Sequence, residues 1–314
     1  MAVTVADVRA AAARIEPFVH HTPVLTSARL DEWLGTTAFL KCEHLQRVGA
    51  FKYRGATNAV QRLDDDRARA GVAAHSSGNH AAALARAAAA RGIPAYVVMP
   101  DSVRAVKKAA VAAYGAEITS CENTPEARAA TLAEVIARTG AIEIHPFDND
   151  DVIAGAGTAA LELCAEVPDL DVVVAPVGGG GLLSGTCLAA HAARVELRVV
   201  GAEPVLADDA ARSVTTGVRQ PPLPPTTIAD GLLTGLSART FGIIRAHVEE
   251  IVTVDEVEIV DAMQVVWQST KQVIEPSAAV AVAAVRTRAY ANARVGIIVS
   301  GGNVDLDPMF ATLR

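Results

Sequence analysis

Four short segments of the chain hold residue types that do chemistry. Val177-Gly178-Gly179-Gly180-Gly181-Leu182 follows an apolar run and opens a helical one. Four residues without side chains at such a junction present backbone N–H groups to an anion at the positive end of the helix, which makes a phosphate cup. A glycine turn without a ligand is the plainer alternative, and a dinucleotide loop the sharper one. The segment lacks the Gly-Lys-Ser/Thr of a P-loop, and Leu183 and Ser184 fill positions where G-x-G-x-x-G needs glycine. Glu203, however, closes the next strand where a ribose-binding acid would stand. A nicotinamide-dependent oxidoreductase and a non-catalytic small-ligand binding protein both stay open at this point.

Ser76-Ser77-Gly78-Asn79-His80 sits between a strand and an alanine-rich helix. Small hydroxyls, a permissive glycine and free N–H groups at a helix start suit a carboxylate; a simple N-cap is the alternative. Ser300-Gly301-Gly302-Asn303 closes the last apolar strand and delivers a hydroxyl to a strand's carboxyl end, where open α/β sheets bind ligands, although a capping serine in a turn has the same sequence. Phe51-Lys52-Tyr53-Arg54-Gly55-Ala56 sets one lysine beside an aromatic ring at the head of a helix-forming stretch. Such a setting can desolvate the amine and lower its pKa, while most lysines in similar runs are solvated.

These segments need a scaffold, and the pattern between them supplies one. Short apolar runs alternate with alanine-rich helical stretches, which implies βαβ crossovers and an α/β fold of open, mainly parallel twisted sheets. From 71 to 141 the order reads strand Gly71–His75, helix His80–Arg91, strand Ala95–Met99, helix Val103–Tyr114, strand Ala116–Thr119 and helix Pro125–Thr139. A second series runs helix Gly155–Glu166, strand Asp171–Val177, helix Leu182–Ala193, strand Leu197–Ala202 and helix Asp208–Thr215. Gly217–Asp230, with Pro221, Pro222, Pro224 and Pro225, reads as an ordered surface loop. Helices Asp255–Val273 and Ser277–Arg288 precede the strand Val295–Val299.

Bulk properties narrow the function. A net charge of −7 without a Lys/Arg cluster argues against nucleic acid as partner. No charge-free apolar run of membrane-spanning length and no export signal is visible, so a cytoplasmic protein free of membrane contact is expected. Cys42, Cys121, Cys164 and Cys187 are far apart, without C-x-x-C spacing, and suggest neither a zinc knuckle nor a disulfide framework. A small-molecule substrate remains.

Taken together, in this order and spacing, the four segments resemble the serine/threonine dehydratase and serine racemase family of fold type II enzymes that use pyridoxal 5'-phosphate (PLP). The resemblance covers nearly the whole chain and extends to Thr227-Ile228-Ala229-Asp230-Gly231, Glu275-Pro276-Ser277 and Asp305. It implies a large domain formed by residues 1–64 and 147–314, a small domain inserted at 65–146, the cofactor in the cleft between them, and a homodimer. It also implies that Lys52 carries PLP as a Schiff base and then serves as the Cα base. Phe51 packs on the pyridine ring, Asn79 meets the 3'-oxygen, Gly178, Gly179, Gly180, Gly181 and Leu182 hold the phosphate, and Ser300 meets the ring nitrogen.

The implied reaction is β-elimination from L-serine, L-threonine or a related β-hydroxy-amino acid, giving a 2-oxo acid and ammonia. Ser77 matches the position that returns a proton to the opposite face of Cα in racemases, so serine racemisation is one alternative and 3-hydroxyaspartate dehydration another. Ser76, Ser77, Gly78, Asn79 and His80, with Arg128 and Thr234, are the implied substrate contacts; a cation at Arg128 facing the β-substituent would favour 3-hydroxyaspartate. Phe147 stands where mammalian-type racemases carry Asn, and His145-Pro146-Phe147-Asp148 is more similar to threonine dehydratases, which favours elimination. Gly201-Ala202-Glu203-Pro204-x-x-Ala207-Asp208-Asp209 resembles the family's divalent-cation site. Glu203, Asp209 and the Ala207 carbonyl form a hard-oxygen set for Mg²⁺, or Ca²⁺ or Mn²⁺. With the chain ending soon after Asp305, no regulatory domain and no feedback by isoleucine are expected.

Overall fold

The computed structural model describes residues 3–306 except 104, 223 and 225, so Pro225 of the proline-rich loop lies outside the described residues. Ten strands occur in chain order: β1 (Val24–Leu25), β2 (Thr37–Cys42), β3 (Val72–His75), β4 (Ala95–Pro100), β5 (Glu117–Cys121), β6 (Ile142–Glu143), β7 (Val172–Pro176), β8 (Arg198–Pro204), β9 (Glu250–Val254) and β10 (Arg294–Val299). They form two sheets, a six-stranded one in the order β1-β2-β10-β7-β8-β9 and a four-stranded one in the order β5-β4-β3-β6. Every pairing is parallel except that of β1 with β2.

The parallel arrangement follows from burial on both faces. All five residues of β7 are buried, as are Val295–Val299 of β10, because helices cover both sides of the sheet. One face packs on the Pro276–Arg288 helix, whose residues Ser277 to Val285 are all buried; the other packs on helices Asp150–Glu166 and Gly181–Ala193. Those two helices touch backbone to backbone: a Cβ on Gly157 would lie 2.7 Å from the Gly185 carbonyl oxygen. In the smaller sheet β3 and β4 are covered by the Asn79–Arg91 helix on one side and by Pro125–Thr139 on the other. Among the described residues no helix is long and apolar enough to cross a membrane. All four cysteines are free and buried.

Most expected elements stand within two residues of their places. The helix expected to reach Val273 ends three residues early at Thr270, where Lys271 adopts the left-handed conformation, and the helix expected from Gly155 begins at Asp150, where the Asn149 side chain accepts the N–H groups of Asp151 and Val152. Gly155 and Gly157 lower helix propensity there, yet the cap and the close helix contact outweigh it. Strands β1, β2, β6 and β9 and helices Ala28–Leu34 and Ala238–His247 carry shorter or mixed patterns and lie outside the expected set. The described residues of the Gly217–Asp230 loop are tied down through Gln220 N–H to Ser213 Oγ (2.8 Å) and Arg212 to the Pro221 carbonyl (3.1 Å).

A buried ion network fixes the entry to the helix Lys52–Arg62. Arg54 and Glu43 are both fully buried, 2.7 Å apart; Arg54 also reaches Glu162 at 2.6 Å, and Lys41 reaches Glu162 at 2.8 Å and Glu166 at 3.0 Å. Removing one member of such a set leaves an uncompensated charge, so the network specifies the path of the chain from β2 to Lys52.

Candidate active site

The carboxyl ends of β2 and β10 lie side by side, with Val299 opposite Cys42. Chain leaving β2 therefore passes the end of β10 before it turns into the helix Lys52–Arg62. Ala50 and Gly301 form an antiparallel bridge, Phe51 N–H donates to the Ser300 carbonyl at 2.9 Å, and Gly302 N–H to the Gly49 carbonyl at 3.0 Å. Lys52 and Ser300 are thus brought together at the edge where parallel sheets bind ligands.

Lys52 Nζ donates to the Pro146 carbonyl at 2.9 Å and lies 5.1 Å from the centroid of the Phe51 ring. Burial of the amine pushes its pKa down to about 8, with the Glu275 charge opposing the shift. The amino end of the helix that Lys52 opens also disfavours the ammonium form.

Asn79 joins the second segment to the first. Its Nδ2 donates to both oxygens of Glu275, at 2.9 and 3.1 Å, and its Oδ1 accepts from Asn303 Nδ2 at 2.9 Å. Glu275 also accepts Asn303 N–H at 3.1 Å, and burial raises its pKa to about 7. His80 is buried with Nε2 2.8 Å from the Ile144 carbonyl, which makes Nε2 the protonated nitrogen; burial pushes its pKa to about 3, so the ring is neutral. Ser76 and Ser77 are half-buried and Gly78 is exposed, its N–H 3.4 Å from Ser76 Oγ.

The glycine segment links β7 to the helix Gly181–Ala193, with Gly180 at φ +86 as its cap and Leu182 buried behind it. Its walls leave no room for side chains. A Cβ on Gly178 would lie 2.9 Å from Leu232 Cα, one on Gly179 2.2 Å from the Phe147 ring, and one on Gly180 2.7 Å from Leu236 Cδ2. Pro146 touching Lys52 and Phe147 touching Gly179 connect the lysine to the glycine cup through two adjacent residues.

The remaining expected residues fall into three groups. Arg128, on the Pro125–Thr139 helix, donates to Asn123 Oδ1 at 2.5 Å; its Nε is buried without a partner, and its charge contributes to the lowered pKa of His75, the residue before Ser76. Thr234 is exposed beyond the turn Asp230–Leu232. Glu203, at the end of β8, is fully buried and accepts the N–H groups of Ala210 (3.1 Å) and Ala211 (2.8 Å), while Asp209 accepts Leu236 N–H at 3.3 Å and Ala207 closes the turn Val205–Ala207. Burial raises Glu203 to about 8 and Asp209 above its usual range. Among the described residues no cluster of three or more His, Cys, Asp or Glu is placed to hold a metal ion. Both Glu203 oxygens meet the start of the following helix, Asp209–Thr216.

Sequence reasoning misses Glu275, His145 and Pro146 as parts of this site. Glu275-Pro276-Ser277 is legible as a motif, but nothing local in it says that its carboxylate faces Asn79 across the fold.

Comparison with known proteins shows the family. Residues 15–301 match the family described as pyridoxal-phosphate dependent enzyme. The chain is 50% identical to a β-hydroxyaspartate dehydratase of Paracoccus denitrificans (strain Pd 1222) over 98% of both chains. It is similar to the structure of maize serine racemase (42% identity, TM-score 0.97, covering 100% of this chain and 97% of that one). A comparable match is the structure of a threonine deaminase from T.th. (43% identity, TM-score 0.93, covering 97% of this chain and 100% of that one). A nicotinamide enzyme and a silent binding protein are thereby set aside. The chain belongs to the pyridoxal-phosphate dependent enzymes, in the group that holds serine racemases, β-hydroxyaspartate dehydratases and threonine deaminases.

Proposed function

We propose that the protein is an ammonia-lyase that removes water and then ammonia from a β-hydroxy-amino acid, and that 3-hydroxyaspartate is its preferred substrate. The side chains fit the cofactor. A loop in which a Cβ on Gly178, Gly179 or Gly180 would collide leaves backbone N–H groups for a phosphate, the half-buried Lys52 offers an amine of lowered pKa to an aldehyde, and Ser300, following the carboxyl end of β10, brings a hydroxyl for a ring nitrogen. In this reading Gly178–Gly181 and Leu182 hold the phosphate, Asn79 the 3'-oxygen and Phe51 the ring face. PLP, when bound, supplies an electron sink that acidifies Cα–H.

The chain's own residues do the rest. Lys52, uncharged over a useful fraction of molecules near pH 7, takes the Cα proton, and Asn79, oriented by Glu275 and Asn303, keeps its amide fixed. The loop Ser76–His80 offers N–H groups and hydroxyls to the α-carboxylate. Loss of the β-hydroxyl as water and hydrolysis of the resulting enamine give the 2-oxo diacid and ammonia. The observation that carries the substrate assignment is Arg128: a guanidinium with an unpaired, buried Nε beside the strand that ends at His75, just before Ser76, suits a second carboxylate, which serine and threonine lack. The β-hydroxyaspartate dehydratase at 50% identity points the same way. Thr234 is left as a peripheral contact. The Ser77 hydroxyl, half-buried in the same loop, makes racemisation a chemically available second activity.

We further infer that residues 65–146 act as an inserted small domain, a division supported by the four-stranded sheet being drawn wholly from 72–143. We also infer that Glu203, Asp209 and the Ala207 carbonyl take a divalent cation such as Mg²⁺, because burial makes both carboxylates costly to ionise and the Asp209 charge adds to the cost at Glu203, which a cation would offset.

Steady-state assays of ammonia release from both 3-hydroxyaspartate diastereomers, L- and D-serine and L-threonine test the substrate. A kcat/KM at least about 10-fold higher for a hydroxyaspartate, lost in Arg128→Met, is expected from a charge-assisted hydrogen bond worth ~1.5–3 kcal/mol. Equal or better turnover of serine would overturn the assignment. Chelation should lower the melting temperature and Mg²⁺ restore it; a melting curve indifferent to both would remove the cation.

A further inference from the structure

We propose that His145 is a positioning residue for Lys52, acting through the turn His145-Pro146-Phe147-Asp148. The imidazole Nδ1 accepts the N–H of Asp148 at 2.9 Å and lies 3.4 Å from the N–H of Phe147. A nitrogen that accepts these donors carries no proton, so the ring is the Nε2–H tautomer. The pattern is that of an Asx turn, in which a side-chain acceptor satisfies N–H groups two and three residues ahead. Asn149 does the same for Asp151 and Val152 only four residues later.

Two working contacts depend on this turn. The Pro146 carbonyl, carried between the acceptor and its donors, takes the hydrogen bond of Lys52 Nζ at 2.9 Å. The Phe147 ring, edge-on to His145 at 4.6 Å, is the wall that closes on Gly179 and Gly181. Arg239 grips the far side through Asp148 (2.5 Å) and Asp150 (2.9 Å), so the turn is held at both ends. Burial pushes the His145 pKa to about 4, so the acceptor persists across the neutral range. An imidazole without a structural bond to the lysine thus sets both the amine and the cup.

The inference rests on the reading of Lys52 as the reacting amine, and two substitutions in the holoenzyme test it. His145→Phe keeps a ring against Phe147 and removes the acceptor; His145→Asn restores an acceptor oxygen for the same two N–H groups. Amide hydrogen exchange over residues 144–149 should rise in His145→Phe, and kcat should fall about 10- to 100-fold with a smaller change in KM, the scale on which a displacement near 1 Å acts. His145→Asn should recover slow exchange and most of kcat. The proposal is overturned if His145→Phe exchanges and turns over like the parent, or if His145→Asn is impaired as deeply as His145→Phe at the same melting temperature. Failure of the lysine reading would appear elsewhere, as turnover that survives Lys52→Ala.

Discussion

Lys52→Ala protein will take up no PLP with the lysine-dependent visible absorption of the parent, and will lose at least about 10³-fold in turnover, since nucleophile and general base disappear together. The effect is large because the amine is tuned. With its pKa at about 8, roughly one molecule in ten carries a neutral Lys52 at pH 7; a lysine at ~10.4 would offer about one in several thousand. The rate at which Lys52 captures added PLP should therefore climb tenfold per pH unit below 8 and level off above it. Linkage gives a second reading of the same shift. For a base whose pKa falls on folding, the ammonium is penalised in the native state below pH 8, and the penalty fades as pH rises from 8 to 10.5. Lys52→Met should accordingly raise the melting temperature of the cofactor-free protein at pH 7, with the gain shrinking toward pH 10.5. A lysine variant that keeps both chromophore and turnover would remove Lys52 from the reaction, and a capture rate still rising steeply at pH 10 would mean that burial does not lower its pKa.

How far the sequence reveals this site depends on the range of each interaction. Glycine runs, caps and strand ends are local: Gly178–Gly181 opens the helix expected after it, and the loop Ser76–His80 precedes its helix as read. The antiparallel bridge of Ala50 with Gly301 and the Asn79–Glu275–Asn303 triad span 196 to 251 residues of chain. Their partners are chosen by sheet order, which no periodicity specifies. Family resemblance joins the segments; the hydrogen bonds state why they belong together. The helix from Asp150 shows the opposite limit, since Asn149 is a legible cap and the glycines behind it hide the turn that follows. Arg54 and Lys41 are invisible in the sequence as buried ions because their composition is that of surface residues.

Gly179→Ala will weaken PLP binding by about 10²-fold or more, and the reason is the wall opposite. The added methyl would lie 2.2 Å from Cδ1, 2.3 Å from Cγ and 2.4 Å from Cε1 of Phe147, distances at which the ring or the loop must move. The ring is not free to yield, because His145 fixes the turn behind it and the Lys52 amine sits on the adjoining carbonyl. The loop therefore shifts, and the backbone N–H groups lose their common focus. Two charge-assisted hydrogen bonds to phosphate, each worth ~1.5–3 kcal/mol, account for a loss of this size. Phe147→Ala should relieve the collision, so the double variant Gly179→Ala/Phe147→Ala is expected to bind PLP more tightly than Gly179→Ala alone, with a coupling of at least about 1 kcal/mol between the sites. Titration of cofactor-free protein with PLP measures all four corners of the cycle. Additive losses would mean that the methyl acts on the loop by itself, and unchanged affinity in Gly179→Ala would mean that the cup does not hold the phosphate.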